Sequence, residues 1–106
     1  VSAFLQHHLY GLLEYRHVLG ALVTSLDGLL VASAAVATSD AELIAASVAG
    51  RSAEAYSVTV SDHGSLHVLQ GNEIRLIVLA EPEVDQDALR EIMVNSMAGI
   101  EESVRV

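Results

Sequence analysis

The sequence predicts an α+β protein, an α/β sandwich built on a five-stranded antiparallel sheet. Three observations lead there. Two apolar runs flank Asp27-Gly28, and that dipeptide supplies the positive φ angles of a tight hairpin turn. Three other segments carry apolar residues at the spacing of a helix. The run Ile74-Arg75-Leu76-Ile77-Val78-Leu79 is almost continuously apolar, as expected of a central strand covered on both faces.

In chain order, Ser2 to about Tyr15 reads as a helix, with Leu5, Leu9, Leu12 and Leu13 at helical spacing and Phe4 beside them. The hairpin of Val18 to Ser33 follows. A two-residue turn sets Leu26 opposite Leu29 and Thr24 opposite Val31. Ser39, with Glu42 three residues on, has the form of a capping box and opens a helix running to about Tyr56. Its stripe is Ile44, Ser47, Val48, Arg51 and Ala55, bordered by Leu43, Ala46, Ala49 and Ala53. Ser57 to Val60 alternates polar and apolar, as a half-buried strand does. After a turn at Asp62-His63-Gly64, Leu66 to Gln70 forms a strand in which His67 and Leu69 occupy the alternate face. Gly71-Asn72 turns into the strand from Ile74, which Pro82 ends. Asp85 or Asp87 opens the last helix, whose buried stripe is Leu89, Ile92, Met93, Ser96, Met97, Ile100 and Val104. The order is therefore helix-strand-strand-helix-strand-strand-strand-helix. Two helices on one face of the sheet and the middle helix on the other cover every apolar stripe. The strand containing Val58 and Val60 follows the crossover and falls at an edge.

The 106 residues suffice for one domain with one core. Their 52% hydrophobic content is high for so small a domain and hints at a partner surface. The formal charge is −9, without a single lysine, and the five cations Arg16, Arg51, Arg75, Arg90 and Arg105 are scattered. Nothing here neutralises a run of phosphates, so nucleic acid and anionic membrane surfaces are poor partners. No apolar run reaches the ~20 residues of a membrane span, so no membrane insertion is expected. The absence of cysteine removes disulfides and thiolate chemistry and fits a cytoplasmic location. No signal peptide is visible.

Catalytic motifs are missing. There is no Gly-x-Ser-x-Gly elbow and, without lysine, no phosphate loop. His7 and His8 are adjacent on a helix and point apart, and His63 and His67 are separated by a turn, so no metal ligand set is expected and the histidines read as surface residues. No catalytic residue, cofactor or metal is assigned. Paired acids at Asp85 and Asp87 and at Glu101 and Glu102 read as solvated helix faces.

Hairpin and helix together resemble the roadblock family of dynein light chains and bacterial GTPase regulators. The residues that carry the resemblance are Gly20-Ala21-Leu22-Val23, Asp27-Gly28, the Asp40-Ala41-Glu42 helix start with Ala45 and Ala46, and Leu76-Ile77-Val78-Leu79. The likeness spans nearly the whole of 1–106, one roadblock-like domain. The middle helix and the segment to Val58 are shorter than in many bacterial members. The resemblance implies a noncatalytic, cytoplasmic homodimer, or a pair with a related roadblock chain, that binds and regulates a small Ras-like GTPase. It also implies that Val58, Thr59 and Val60 pair with their copies while Ile44, Ser47, Val48, Arg51 and Ala55 line a helix pair. Glu42, Arg51 and Glu54 would then form the docking face. Arg51 reads as an interface or ion-pair residue and not as a catalytic finger. An exposed strand edge and a small-residue helix stripe both call for a neighbour, which supports pairing on physical grounds. The alternatives are a ligand-sensing domain, which requires an internal cavity with a few convergent polar groups, and a purely structural assembly subunit.

Overall fold

Among the described residues eight elements form, in the order the periodicities predict: α1 (Ala3–Leu13), β1 (Val18–Ser25), β2 (Leu30–Ala34), α2 (Thr38–Ala49), β3 (Tyr56–Ser61), β4 (Gly64–Gln70), β5 (Ile74–Ala80) and α3 (Gln86–Arg105). The computed structural model describes residues 3–50 and 54–105. The five strands make one sheet in the order β2-β1-β5-β4-β3, with every neighbouring pair antiparallel. β5 lies in the middle, and its apolar run is buried from Ile74 to Val78. β2 and β3 are the edges.

Helices cover both faces. Leu5, Leu9 and Leu12 of α1 and Leu89, Met93, Met97 and Ile100 of α3 pack against Ala21, Val23, Leu76 and Val78. On the opposite face, Ala41, Ala45 and Val48 of α2 pack against Leu22, Val68 and Ile77. Each fully buried leucine or isoleucine contributes roughly 1.5–3 kcal/mol through removal of apolar surface from water. Two alanines on the buried stripe of α2 let that helix lie close to the sheet.

Several boundaries differ from the sequence expectation, each for a local reason. α1 ends at Leu13, because Glu14 and Tyr15 donate their N–H groups to Gly11 and Leu12 in tighter three-residue turns. Phe4 is 75% exposed and takes no part in the core. The hairpin loop has three residues and not two. Ser25 accepts from the Gly28 N–H at 3.2 Å and donates its own N–H to the Leu29 carbonyl at 2.8 Å. Gly28 alone in the loop takes a positive φ, +94°. That geometry is a turn followed by a left-handed residue, which adds a bulge. Thr24 therefore pairs with Leu30 and not with Val31. The Ser25 hydroxyl accepts from the Leu29 N–H and donates to the Asp27 carboxylate, locking the loop.

Ser39 and Glu42 form no capping box. α2 starts at Thr38 with Ala37 as its cap residue, so Ser39 already lies inside the helix. The Ala41 N–H donates to the Ala37 carbonyl at 2.9 Å. α2 ends at Ala49, and Tyr56 begins the next strand. In α3 the cap is Asp85, whose carboxylate accepts from the Ala88 N–H at 3.1 Å.

Candidate functional site

β3 is the last strand of the sheet and pairs with β4 from Tyr56↔Leu69 to Ser61↔Gly64. Cross-strand partners share a face. Val58, opposite His67, and Val60, opposite Ser65, therefore lie on the α1/α3 face, while Ser57 and Thr59 lie on the α2 face. Val58 is half-buried, and Val60 is 62% exposed at the rim.

α2 divides the residues expected on its stripe. Val48 is buried against Leu22, Val68 and Ile77 of its own sheet. Ile44 is half-buried along the flank of the same cluster, and Ser47 is exposed. The Gly28 loop sits against Ala45, Ala46 and Ala49. Helical geometry turns Ile44 and Ser47 to the opposite flank. Glu42, Glu54 and Ala55 are exposed. Arg51 and Ala53 lie outside the described residues. Beside α2, Leu19, Val36, Leu43, Ile44 and Leu79 line an open apolar groove, and Leu19, Leu66 and Leu79 continue it toward the β3–β4 turn. Leu43 and Leu19 are 70% and 50% exposed. The bulge between Val18 and Gly20 belongs to the same stretch as Leu19.

His67 departs from the surface position expected for it. It is fully buried under the α1/α3 layer. Its Nε2 lies 2.7 Å from the Ser65 hydroxyl and its Nδ1 2.9 Å from the Tyr56 hydroxyl. Burial pushes the imidazole below its ordinary value of 6.5. Burial also pushes the Tyr56 phenol up, opposed by Arg90, whose guanidinium stacks 4.8 Å over the Tyr56 ring. The network ties edge strand β3 to β4 and α3. A signal for it was present in the alternation: His67 shares a strand face with Leu69, and a sheet covered on both sides leaves that face dry. Arg75 is likewise buried. It donates to the Leu26 carbonyl at 2.7 Å and to the Gln70 side chain at 3.3 Å, so it tethers the hairpin loop to the sheet.

Chemically, this surface offers an apolar strand edge and a helix with small and acidic residues. His67 and Ser65 are within hydrogen-bond reach, but both are buried. No helix of the described residues is long and apolar enough to cross a membrane.

No protein-family model and no curated protein sequence matches this chain. Solved structures do. A roadblock/LC7 domain from Streptomyces avermitilis superposes with a TM-score of 0.85 at 22% identity, over 94% of this chain and 97% of that one. A second structure of a roadblock/LC7 domain from that organism gives 0.80 at 27% identity, over 91% and 96%. The gliding protein MglB of Thermus thermophilus gives 0.83 at 14% identity, over 97% and 90%. The element order, the all-antiparallel sheet and the split of helices between its faces agree with these likenesses across nearly the full length of each chain, and this chain has the roadblock/LC7 fold.

Proposed function

We propose that residues 1–106 act as one noncatalytic domain that pairs with a copy of itself and serves as an adaptor binding and regulating a small Ras-like GTPase. The observation that carries this reading is the edge position of β3, with exposed Val60 at its end. A long edge strand is a template for another strand. Two copies related by a two-fold axis would join β3 to β3 and extend the sheet, with Ile44 and Ser47 along the helix flank, Val58, Thr59 and Val60 along the strand, and Arg51 and Ala55 from the segment between α2 and β3 beside them. Val48 supports this flank from below, through the protomer's own core. Such an interface would bury roughly 800 Å² per subunit. An MglB of the same fold has been solved in a tetrameric arrangement, which supports self-association for chains of this shape.

The outer face of α2, with Glu42, and the segment carrying Arg51 and Glu54 would form the docking face. The GTPase itself rests on the resemblance to the roadblock family, and the docked state would be cytoplasmic.

Light scattering across a dilution series tests the pairing. The expected result is twice the 11.2 kDa chain mass, falling to the chain mass in Val60→Asp. Val60 is exposed at the rim, so the substitution leaves the monomer core intact. A wild-type monomer at every concentration, or an undiminished dimer in Val60→Asp, would reject the edge model. A Ras-like GTPase from the source cell, purified and loaded with GDP or a GTP analogue, should be retained by the immobilised chain in at least one nucleotide state. Retention in neither would remove the regulatory reading and leave the pairing untouched.

A further inference from the structure

His17, Glu81 and Glu83 converge at the end of the sheet where α1 enters β1 and β5 leaves for α3. The ligand atoms they offer, one ring nitrogen and two carboxylate oxygens, all lie within 4.8 Å of one another. The backbone holds them there. His17 takes a left-handed φ of +73° and reverses the chain out of α1. The Glu81 N–H then donates to the His17 carbonyl at 2.7 Å, one step beyond the Val18↔Ala80 pair of the β1–β5 ladder. That added rung sets the imidazole beside the first carboxylate, with Nδ1 and Oε1 3.8 Å apart. This is too far for a direct hydrogen bond. Pro82 restricts the backbone, and the Val84 N–H closes the turn onto the Glu81 carbonyl at 3.1 Å, which brings Glu83 round to the same spot. The nearby Asp85 is engaged as the cap of α3.

We propose that His17, Glu81 and Glu83 form a binding site for a divalent transition-metal ion, Zn²⁺ above all. The donor set selects the ion. One imidazole with two carboxylates suits a borderline cation, and hard ions such as Mg²⁺ favour oxygen alone. Two carboxylates and the ion sum to zero charge. With bonds of ~2.1 Å, ligand atoms in a tetrahedral site sit roughly 3.4 Å apart, so side-chain rotation of about 1 Å closes the set. The imidazole is 26% exposed and the Glu81 side chain 47%, which gives the ion a path in and the carboxylate room to turn. Three protein ligands leave a fourth position for water or for a group on a partner. The bound ion would clamp the α1–β1 turn to the β5–α3 turn, which are 64 residues apart in sequence between His17 and Glu81.

The test uses the untagged full chain and ZnCl₂ alone. Calorimetric titration should show one Zn²⁺ bound, at least about tenfold more weakly in His17→Asn and in Glu83→Gln, and no comparable heat with MgCl₂. Asparagine tolerates the left-handed backbone at 17, and Glu83 is exposed, so both variants keep the fold, checked by circular dichroism. Side-chain NMR should show the His17 ring resonances moving on Zn²⁺ addition while those of His7, His8 and His63 stay. Equal affinity in wild type and both variants, or another histidine responding first, would overturn the proposal. This site is independent of the β3 edge and of any GTPase.

Discussion

His67 is a titratable group without access to water, and its cost can be read as pH dependence. Its folded-state pKa lies below the ordinary 6.5, so the fold prefers the neutral ring. Above pH 6.5 both folded and unfolded chains hold it neutral, and its environment costs nothing. As pH falls through 6.5 toward the folded value, the unfolded chain takes up the proton first, and stability is lost across that window. Below the folded value the loss is complete and levels off. The melting temperature of the wild type should therefore drop more steeply between about pH 8 and about pH 5 than that of His67→Gln, which keeps hydrogen bonding but cannot titrate. Parallel profiles would show that the Ser65–His67–Tyr56 network is not the sensitive group. The histidine's burial was implicit in the strand alternation, but its partners were not. Tyr56 lies on the opposite strand of the β3–β4 hairpin, eleven residues away in sequence, and the register that joins them is a matter of pairing.

Between elements, the hairpin loop and α2 meet at one glycine. A Cβ on Gly28 would lie 2.6 Å from the Ala49 Cβ, at a φ of +94° that side chains adopt at a cost. Gly28→Ala should lose about 2–3 kcal/mol, the left-handed penalty and the overpacking together. Gly11, inside α1, is a control of the same chemistry. A Cβ there meets nothing within 4 Å. Gly11→Ala should gain about 0.5–1 kcal/mol through helix propensity. Urea denaturation of both variants checks the opposite signs, and a neutral Gly28→Ala would mean that α2 moves aside freely. The presence and type of every element were legible, because apolar spacing reports them directly. The helix ends were less so. Ser39 and Glu42 have the spacing of a capping box, yet the chain leaving β2 reaches helical geometry two residues sooner, at Thr38 and not Asp40, so the cap falls on Ala37 and not Ser39. The turn at Asp27-Gly28 was placed correctly, but its loop length depends on a bulge that nothing in the dipeptide announces.

For the molecule as a whole, the charge of −9 opposes self-association. Two such bodies repel at low ionic strength, and at 0.15 M salt the screening length shrinks to about 8 Å. Contact through a strand edge and an apolar helix flank is not weakened by that screening. The dissociation constant of the proposed dimer should therefore fall as NaCl rises from about 0.01 M to about 0.15 M, measured by sedimentation. A rise would point to ion pairs, with Arg51 the first to consider, as the main attraction across the interface.

The sequence by itself determined the fold class, the order of elements, the central place of Ile74 to Leu79 and the faces that α1, α2 and α3 cover. These follow from periodicity, which is local and which any burial must respect. It also marked β3 as an edge, since a strand after the crossover has one neighbour to pair with. Only the tertiary structure decided that Val48 serves the inner core while Ile44 stays at its flank and Ser47 is exposed. It alone joined His67 to Tyr56, made Arg75 a tether for the hairpin loop and gathered His17, Glu81 and Glu83 at one end of the sheet. The physical reason is common to the last three: each depends on which distant residues the strand register brings side by side, and register is settled by the packing of the whole sheet.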